Sequence, residues 1–234
     1  MKNQFGEDYP QAIVLEGLRI PLSSERRFSR SFYSKEHRQG AEISRFMDGS
    51  ASITVVELKR EWPRWSNEVR RDFCQSCYCL DGQVDFPEML RYIMKHGDAE
   101  NWSGVALSVA HQLPSDEAFR ILAGALNKTP LGSCSNLAQA ISKTKHADAE
   151  KTLRKHFEAL WNHPALFDSD SFNNWIAFAA TTCIAHLIEL GVPASEFDAR
   201  VRQLSEHACS GNRRSCSSFL SKHYSWLKQD TTNR

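Results

Sequence analysis

Residues Val84 to Thr144 read VDFPEMLRYIMKHGDAENWSGVALSVAHQLPSDEAFRILAGALNKTPLGSCSNLAQAISKT, and this stretch decides the fold. It holds two copies of one unit. Each copy has a helix with apolar residues at helical spacing, a short polar break, and a second helix rich in small residues. Glu88-x-x-Arg91 in the first copy returns 29 positions on as Glu117-x-x-Arg120, and Leu107 and Ala110 return 30 positions on as Leu137 and Ala140. A period of about 30 residues marks stacked helical hairpins, in which no unit can bury its apolar face alone.

The same pattern extends outward. Upstream, Ile53, Val56 and Leu58 lie on a helix that Pro63 interrupts. Trp65, Val69, Phe73, Cys77 and Leu80 then mark one face of a second helix, closed by Asp81-Gly82. Downstream, a fourth hairpin begins at Asp148 with Leu153, Phe157 and Leu160 on one face. Its second helix, Asn174 to Leu190, is apolar nearly all round, as a helix in the middle of a stack should be, and Gly191-Val192-Pro193 ends it. A fifth pair runs from Ser195 to Cys209 and from about Asn212 to Leu227, with Leu204, Ala208, Phe219, Leu220, Tyr224 and Leu227 on its inner face.

Two features recur at matching places. Leu90-Arg91, Phe119-Arg120, Leu153-Arg154 and Val201-Arg202 fall in four first helices. Asn101-Trp102, Asn136-Leu137, Asn174-Trp175 and Asn212-Arg213 open four second helices, where Asn suits the capping of orphan amides. In this period and pattern, over residues 50–227, the chain resembles the HEAT-like helical repeat proteins, the α-solenoids. The resemblance implies an all-α, single-domain stack of about five hairpins whose second helices line a concave binding surface. Residues 1–49 are then an irregular N-terminal cap and 228–234 a frayed tail.

Composition narrows the function classes. The chain of 234 residues carries 29 Lys+Arg against 28 Asp+Glu, a formal net charge of +1, with 41% hydrophobic residues. Such near-neutrality argues against a dedicated nucleic-acid coat and leaves room for a local basic patch. No run approaches the roughly 18 apolar residues that span a bilayer, so no membrane partner is expected. The polar N-terminus MKNQFGEDYPQ lacks the apolar core of a signal peptide, which points to the cytoplasm. Seven cysteines, an odd number, fit reduced thiols better than a disulfide framework.

Within the cap, Ala12-Ile13-Val14-Leu15 and Leu18-Arg19-Ile20 suit a short strand or helix, which Pro21 ends. Glu25 to Arg38 then holds five Lys/Arg against two Glu, interleaved with three aromatic residues. Arg26, Arg27, Arg30, Phe32 and Tyr33 would form a contact for a polyanion, since charge draws the partner and rings stack on it. The stronger reading makes these aromatics a cover for the open end of the stack, because terminal repeats are usually atypical.

Chemistry finds little support. Cys74-x-x-Cys77-x-Cys79 lies on or beside one helix with no second Cys-x-x-Cys, whereas zinc needs about four converging ligands. Cys77 already belongs to an apolar face, where Cys acts as a small hydrophobe. Cys209 and Cys216 with His207 and His223 are spread over two helices and make a weaker case. Neither metal nor cofactor is expected, and no glycine-rich phosphate loop, His-Glu-x-x-His or Gly-x-Ser-x-Gly occurs. Size and architecture also resemble the HEAT-like alkylpurine DNA glycosylases, which the resemblance implies would hold a base on an aromatic ring beside a carboxylate. Trp102 and Trp175 open second helices, but Ala106 and Ala179 stand one turn on, leaving only Asp168 and Asp170 in a loop.

The expected function is therefore non-catalytic binding of a macromolecule, a protein in preference to a nucleic acid, in the concave groove. Its small size and lack of catalytic motifs suit an inhibitor or immunity-type antagonist. The candidate surface is the polar side of the second helices: Ser103, Ser108, Gln112, Asn136, Gln139, Thr182, His186, Arg214, Ser218 and Lys222. Trp102 is expected to be substantially buried between hairpins.

Overall fold

The computed structural model describes residues 12–15, 18–21, 54–77, 84–168, 174–206 and 216–228. The protein is helical. Among the described residues the one departure is an antiparallel hairpin of β1 (Ala12–Leu15) and β2 (Leu18–Pro21), in which Ile13 pairs with Ile20. That hairpin resolves the strand-or-helix ambiguity of this segment in favour of strand. The chain packs as two compact units, Met1–Gln112 and Leu113–Arg234, a division that the 30-residue period does not announce.

In the first unit, α1 (Val55–Glu61) starts at Thr54 in a capping box. The Thr54 hydroxyl accepts from the Glu57 amide at 3.2 Å, and the Glu57 carboxylate accepts from the Thr54 amide at 2.8 Å. Pro63 sits in the 3-10 turn Trp62–Arg64 that ends α1, because a ring without an N–H cannot continue the helix. The helices α2 (Asn67–Ser76), α3 (Phe86–His96) and α4 (Ala99–Gln112) follow. First helices meet, α1 on α3, second helices meet, α2 on α4, and α3 packs on its own partner α4. The α1–α3 contact is pinned at its edge, where the Asp85 carboxylate accepts from the Val55 amide at 2.7 Å and Lys59 pairs with Glu88 at 2.6 Å.

Leu58, Trp62, Trp65, Phe73, Phe86, Met89, Leu90 and Ile93 form the core of this unit. Val56, expected on the apolar face of α1, is instead exposed, because that short helix turns Leu58 and Glu61 inward. Trp102 is half-buried rather than enclosed, although its Nε1 is buried without a partner. Gly104 explains the small residues of the second helix. A Cβ there would stand 2.9 Å from Cys74 Cβ and 3.0 Å from the Cys74 carbonyl carbon, so α4 approaches α2 along its glycine.

The second unit holds α5 (Ser115–Leu126), α6 (Ser135–Thr144), α7 (Ala149–Trp161), α8 (Trp175–Glu189) and α9 (Asp198–Glu206). Residues 216–220 are helical and lead to the 3-10 turn Ser225–Lys228. The pairs α5 with α6 and α7 with α8 are in contact, and α8 also touches α6, α9 and the turn Leu131–Ser133. With neighbours on several sides, α8 buries every residue from Thr181 to Leu187. Its end follows the expected signal, with Gly191 at φ 101° just beyond the last turn. Among the described residues no helix is long and apolar enough to cross a membrane.

Two outcomes test this packing. Gly104→Ala gains about 1 kcal/mol of helix propensity but overpacks the α2 contact at a typical cost of about 1–3 kcal/mol, so a net loss in urea unfolding is expected. A gain would mean that the helices simply separate. His156, buried in α7, has its imidazole pushed down by burial from 6.5 to about 4. Above pH 6.5 neither state holds the proton. Below it the unfolded chain takes a proton that the folded chain refuses, so stability falls until about pH 4. At about 1.4 kcal/mol per unit the loss is about 3 kcal/mol, and His156→Leu should remove that part of the pH slope.

Candidate binding face on the second unit

The face is organised by α8. Asn174 caps it: its side-chain oxygen accepts from the Ile176 and Ala177 amides, each at 3.1 Å. Its amide nitrogen donates to the carbonyls of Ala165, Leu166 and Asp168 at 2.6, 3.0 and 3.1 Å. One side chain thus fixes both the start of the helix and the loop that enters it. In α4 the cap is Asp98 and not the expected Asn101: the Asp98 carboxylate accepts from the Glu100 and Asn101 amides at 3.0 and 3.1 Å, and the Asn101 side-chain oxygen accepts in return from the Asp98 amide at 3.2 Å. Asn136, by contrast, is the second residue of α6 and lies exposed, and Asn212 is outside the described residues.

Trp175, Phe178, Thr182, His186 and Glu189 recur at helical spacing and form one stripe of α8. Two elements flank it. On one side α6 packs against α8, with the Thr182 hydroxyl 3.4 Å from Ser135 Oγ. On the other lies the C-terminal segment, with Cys216 Sγ 3.7 Å from Thr181 Oγ1 and the Phe219 ring edge-on to Phe178 at 5.6 Å. The aromatic end of the stripe is open. Trp175 is 60% exposed and Phe219 36%, with the Trp175 and Phe178 rings 6.0 Å apart at 79°.

The other end is charged. Glu189 receives Lys222 Nζ at 3.0 Å and Lys143 Nζ at 3.5 Å, so α6, α8 and the C-terminal segment meet on one carboxylate. His186 Nδ1 lies 3.2 Å from the same group. Partial burial pushes the Glu189 carboxyl up, but the hydrogen bonds of Lys222 and His186, with the charges of His186 and Lys143, outweigh it and bring the group from 4.5 down to about 2. Burial lowers the His186 imidazole, against the pull of Glu189. At neutral pH His186 is therefore an uncharged donor, and the lysines supply the positive charge that holds Glu189 ionised.

Of the residues expected on the surface, Thr182 and His186 are only 2% and 7% exposed, and they form the floor of the face instead of contact side chains. Gln139 is half-exposed on α6, while Asn136, Ser218 and Lys222 are exposed. Ser103, Ser108 and Gln112 are half-exposed on α4 of the first unit. Arg214, and the basic-aromatic set Arg26, Arg27, Arg30, Phe32 and Tyr33, lie outside the described residues. The sequence reading missed Glu189, Lys143 and Trp175 as members of the face. The signal was present in the 3-4-4-3 spacing of the α8 stripe, hidden inside a helix that looked apolar all round.

Ala106 and Ala179, one turn beyond Trp102 and Trp175, are buried, and Asp168 is an exposed loop residue whose backbone carbonyl serves the Asn174 cap. Asp170 is outside the described residues. Among the described residues no group of three or more His, Cys, Asp or Glu is placed to hold a metal ion. Cys74 and Cys77 are buried, and the Cys74 thiol is pushed well up by burial, with Cys77 and Asp98 adding to it. The arginine repeat is satisfied internally at Arg154, which pairs with Glu150 at 2.7 Å and Glu196 at 2.9 Å.

The Glu189 node has a direct measurement. An NMR pH titration should place the Glu189 carboxyl near 2 and move it up in Lys222→Met, with a smaller rise in Lys143→Met, whose ammonium lies farther away. The node's contribution to stability is present above about 4.5 and lost as pH falls toward 2, because the folded carboxyl binds its proton less readily. An unshifted titration in Lys222→Met would show that this lysine does not hold the carboxylate in solution. Compared with protein-family models, with curated proteins and with solved structures, the chain finds no match.

Proposed function

We propose that this protein is a non-catalytic module that binds another protein, built as a HEAT-like α-solenoid of about five stacked hairpins with its second helices toward the partner. The observation that carries the reading is the mixed character of the α8 face, where open aromatic rings adjoin a carboxylate shared by two lysines. A duplex-binding groove needs a continuous run of cations, since phosphate neutralisation dominates that affinity. A protein partner is instead anchored by a few aromatic and charged residues within a polar surround. Within this class the small chain without catalytic motifs suits an inhibitor or immunity-type antagonist that works by occluding its target.

The rival reading, a relative of the HEAT-like alkylpurine DNA glycosylases, draws on one observation, the exposed Trp175 ring at the start of α8. It lacks a carboxylate on the following turn, where Ala179 is buried.

The two readings separate on a partner recovered from the native host and identified by mass spectrometry. Gln139→Glu with Ser218→Glu should weaken a protein partner by about tenfold or more while moving stability by no more than about 0.5 kcal/mol per site. Replacing Arg26, Arg27 and Arg30 together by Ala should leave that partner nearly unaffected. For a nucleic acid the triple mutant would lower the salt dependence of binding by about one unit per lost phosphate contact. Binding abolished by the arginine mutant and untouched by the face mutant would make the N-terminal segment the recognition element.

A further inference from the structure

The aromatic end of the α8 stripe is held unusually firmly for so exposed a group. Trp175 is the first residue of α8, directly after the Asn174 cap with its five hydrogen bonds. The Leu131–Ser133 turn presses on it through Gly132, where an added Cβ would stand 3.1 Å from Trp175 Cβ. Phe178 supports the ring edge-on, and Phe219 supports Phe178 in turn. A large ring left open to water yet fixed at its base loses little freedom when covered, which is the property of an interface anchor.

The far end of the stripe supplies a second element. Lys143 and Lys222, 44% and 57% exposed at their side chains, share the single carboxylate of Glu189 while His186 beside it is neutral. One positive charge is left over, and it faces outward between α6 and the C-terminal segment. From Trp175 to Glu189 the helix advances 14 residues, about 21 Å at 1.5 Å per residue.

We propose that this face receives a helical segment of a partner protein, four turns long, with an apolar side chain seated on Trp175 and Phe219 and a carboxylate bridging Lys143 and Lys222. The proposal rests on the protein-binding reading and adds the chemistry and polarity of the partner. Charge complementarity selects the occupant. A basic segment would meet the surplus lysine charge, and a wholly apolar one would cover two ammonium groups that have a single carboxylate between them. The shallow floor of Thr182 and His186 between the two ends suits a helix laid along α8, because small or flush side chains allow close approach.

The test is selection from a displayed library of random 18-residue peptides against the full chain. Enriched peptides should pair an apolar residue with an acidic residue about 11–14 positions away, matching the spacing of the stripe at 1.5 Å per residue. Their binding should fall by about 30-fold or more in Trp175→Ala, a hot-spot loss. In Lys143→Glu with Lys222→Glu the fall should be several-fold and diminish with added salt. Circular dichroism of each variant keeps unfolding from being mistaken for lost contact, and Trp175→Phe should retain part of the affinity. Peptides that bind equally well to Trp175→Ala would overturn the site while leaving the protein-binding reading in place. If no peptide is enriched and a single-stranded oligothymidylate binds with quenching of Trp175, both the site and that reading fail.

Discussion

An amphipathic helix of ten or so residues is not stable alone in water, and the arrangement in both units follows from covering apolar faces. The first unit does this by laying first helix on first helix and second on second, so that Leu58 of α1 and Met89, Leu90 and Ile93 of α3 are all buried. Close cover needs small residues at the crossing, and Gly104 against Cys74 supplies it. In the second unit α8 takes the central place. Its buried run from Thr181 to Leu187 answers α6, α7 and α9 together, which is why even the polar Thr181, Thr182 and His186 in that run are enclosed.

Much of this arrangement was legible because hydrophobic period and capping chemistry are local. Pro63 and Gly191 mark ends that can be placed without any tertiary knowledge, whereas the start of α1 at the Thr54–Glu57 capping box was not read and Ile53 was put on the helix. Asn174 was legible as a cap, but not as the clamp on three carbonyls of the preceding loop, since those partners depend on how the loop folds back. Thr182 and His186 were read as surface because they are polar. Their burial depends on how closely α6 and the C-terminal segment flank α8, a tertiary fact. Trp175 was the converse case, a large apolar residue that a core reading would enclose and that the structure leaves open.

Charge in this protein is arranged to join neighbouring elements. Lys59 with Glu88 links α1 to α3, Arg154 links α7 to Glu196 in the turn before α9, and Arg200 of α9 grips Glu158 of α7 at 2.7 Å while lying over the Phe157 and Trp161 rings. Each such exposed pair contributes little on its own, of the order of a few tenths of a kcal/mol to 1 kcal/mol. Their shared effect is to neutralise one helix's charge with its neighbour's, consistent with a chain whose formal net charge is +1.

Against that background the Glu189 node differs in stoichiometry. Two lysines from two elements meet one carboxylate, and the nearby imidazole is held neutral by burial, so the local charge does not cancel. Self-repulsion between Lys143 and Lys222 is relieved only in part by the shared Glu189. A carboxylate arriving from outside would relieve the remainder, and it would do so beside rings that gain by being covered. Electrostatics alone would attract any anion, and exposed rings alone would attract any apolar surface. It is their fixed separation along one helix that would let the face discriminate, since a partner must satisfy both ends at once to gain from either.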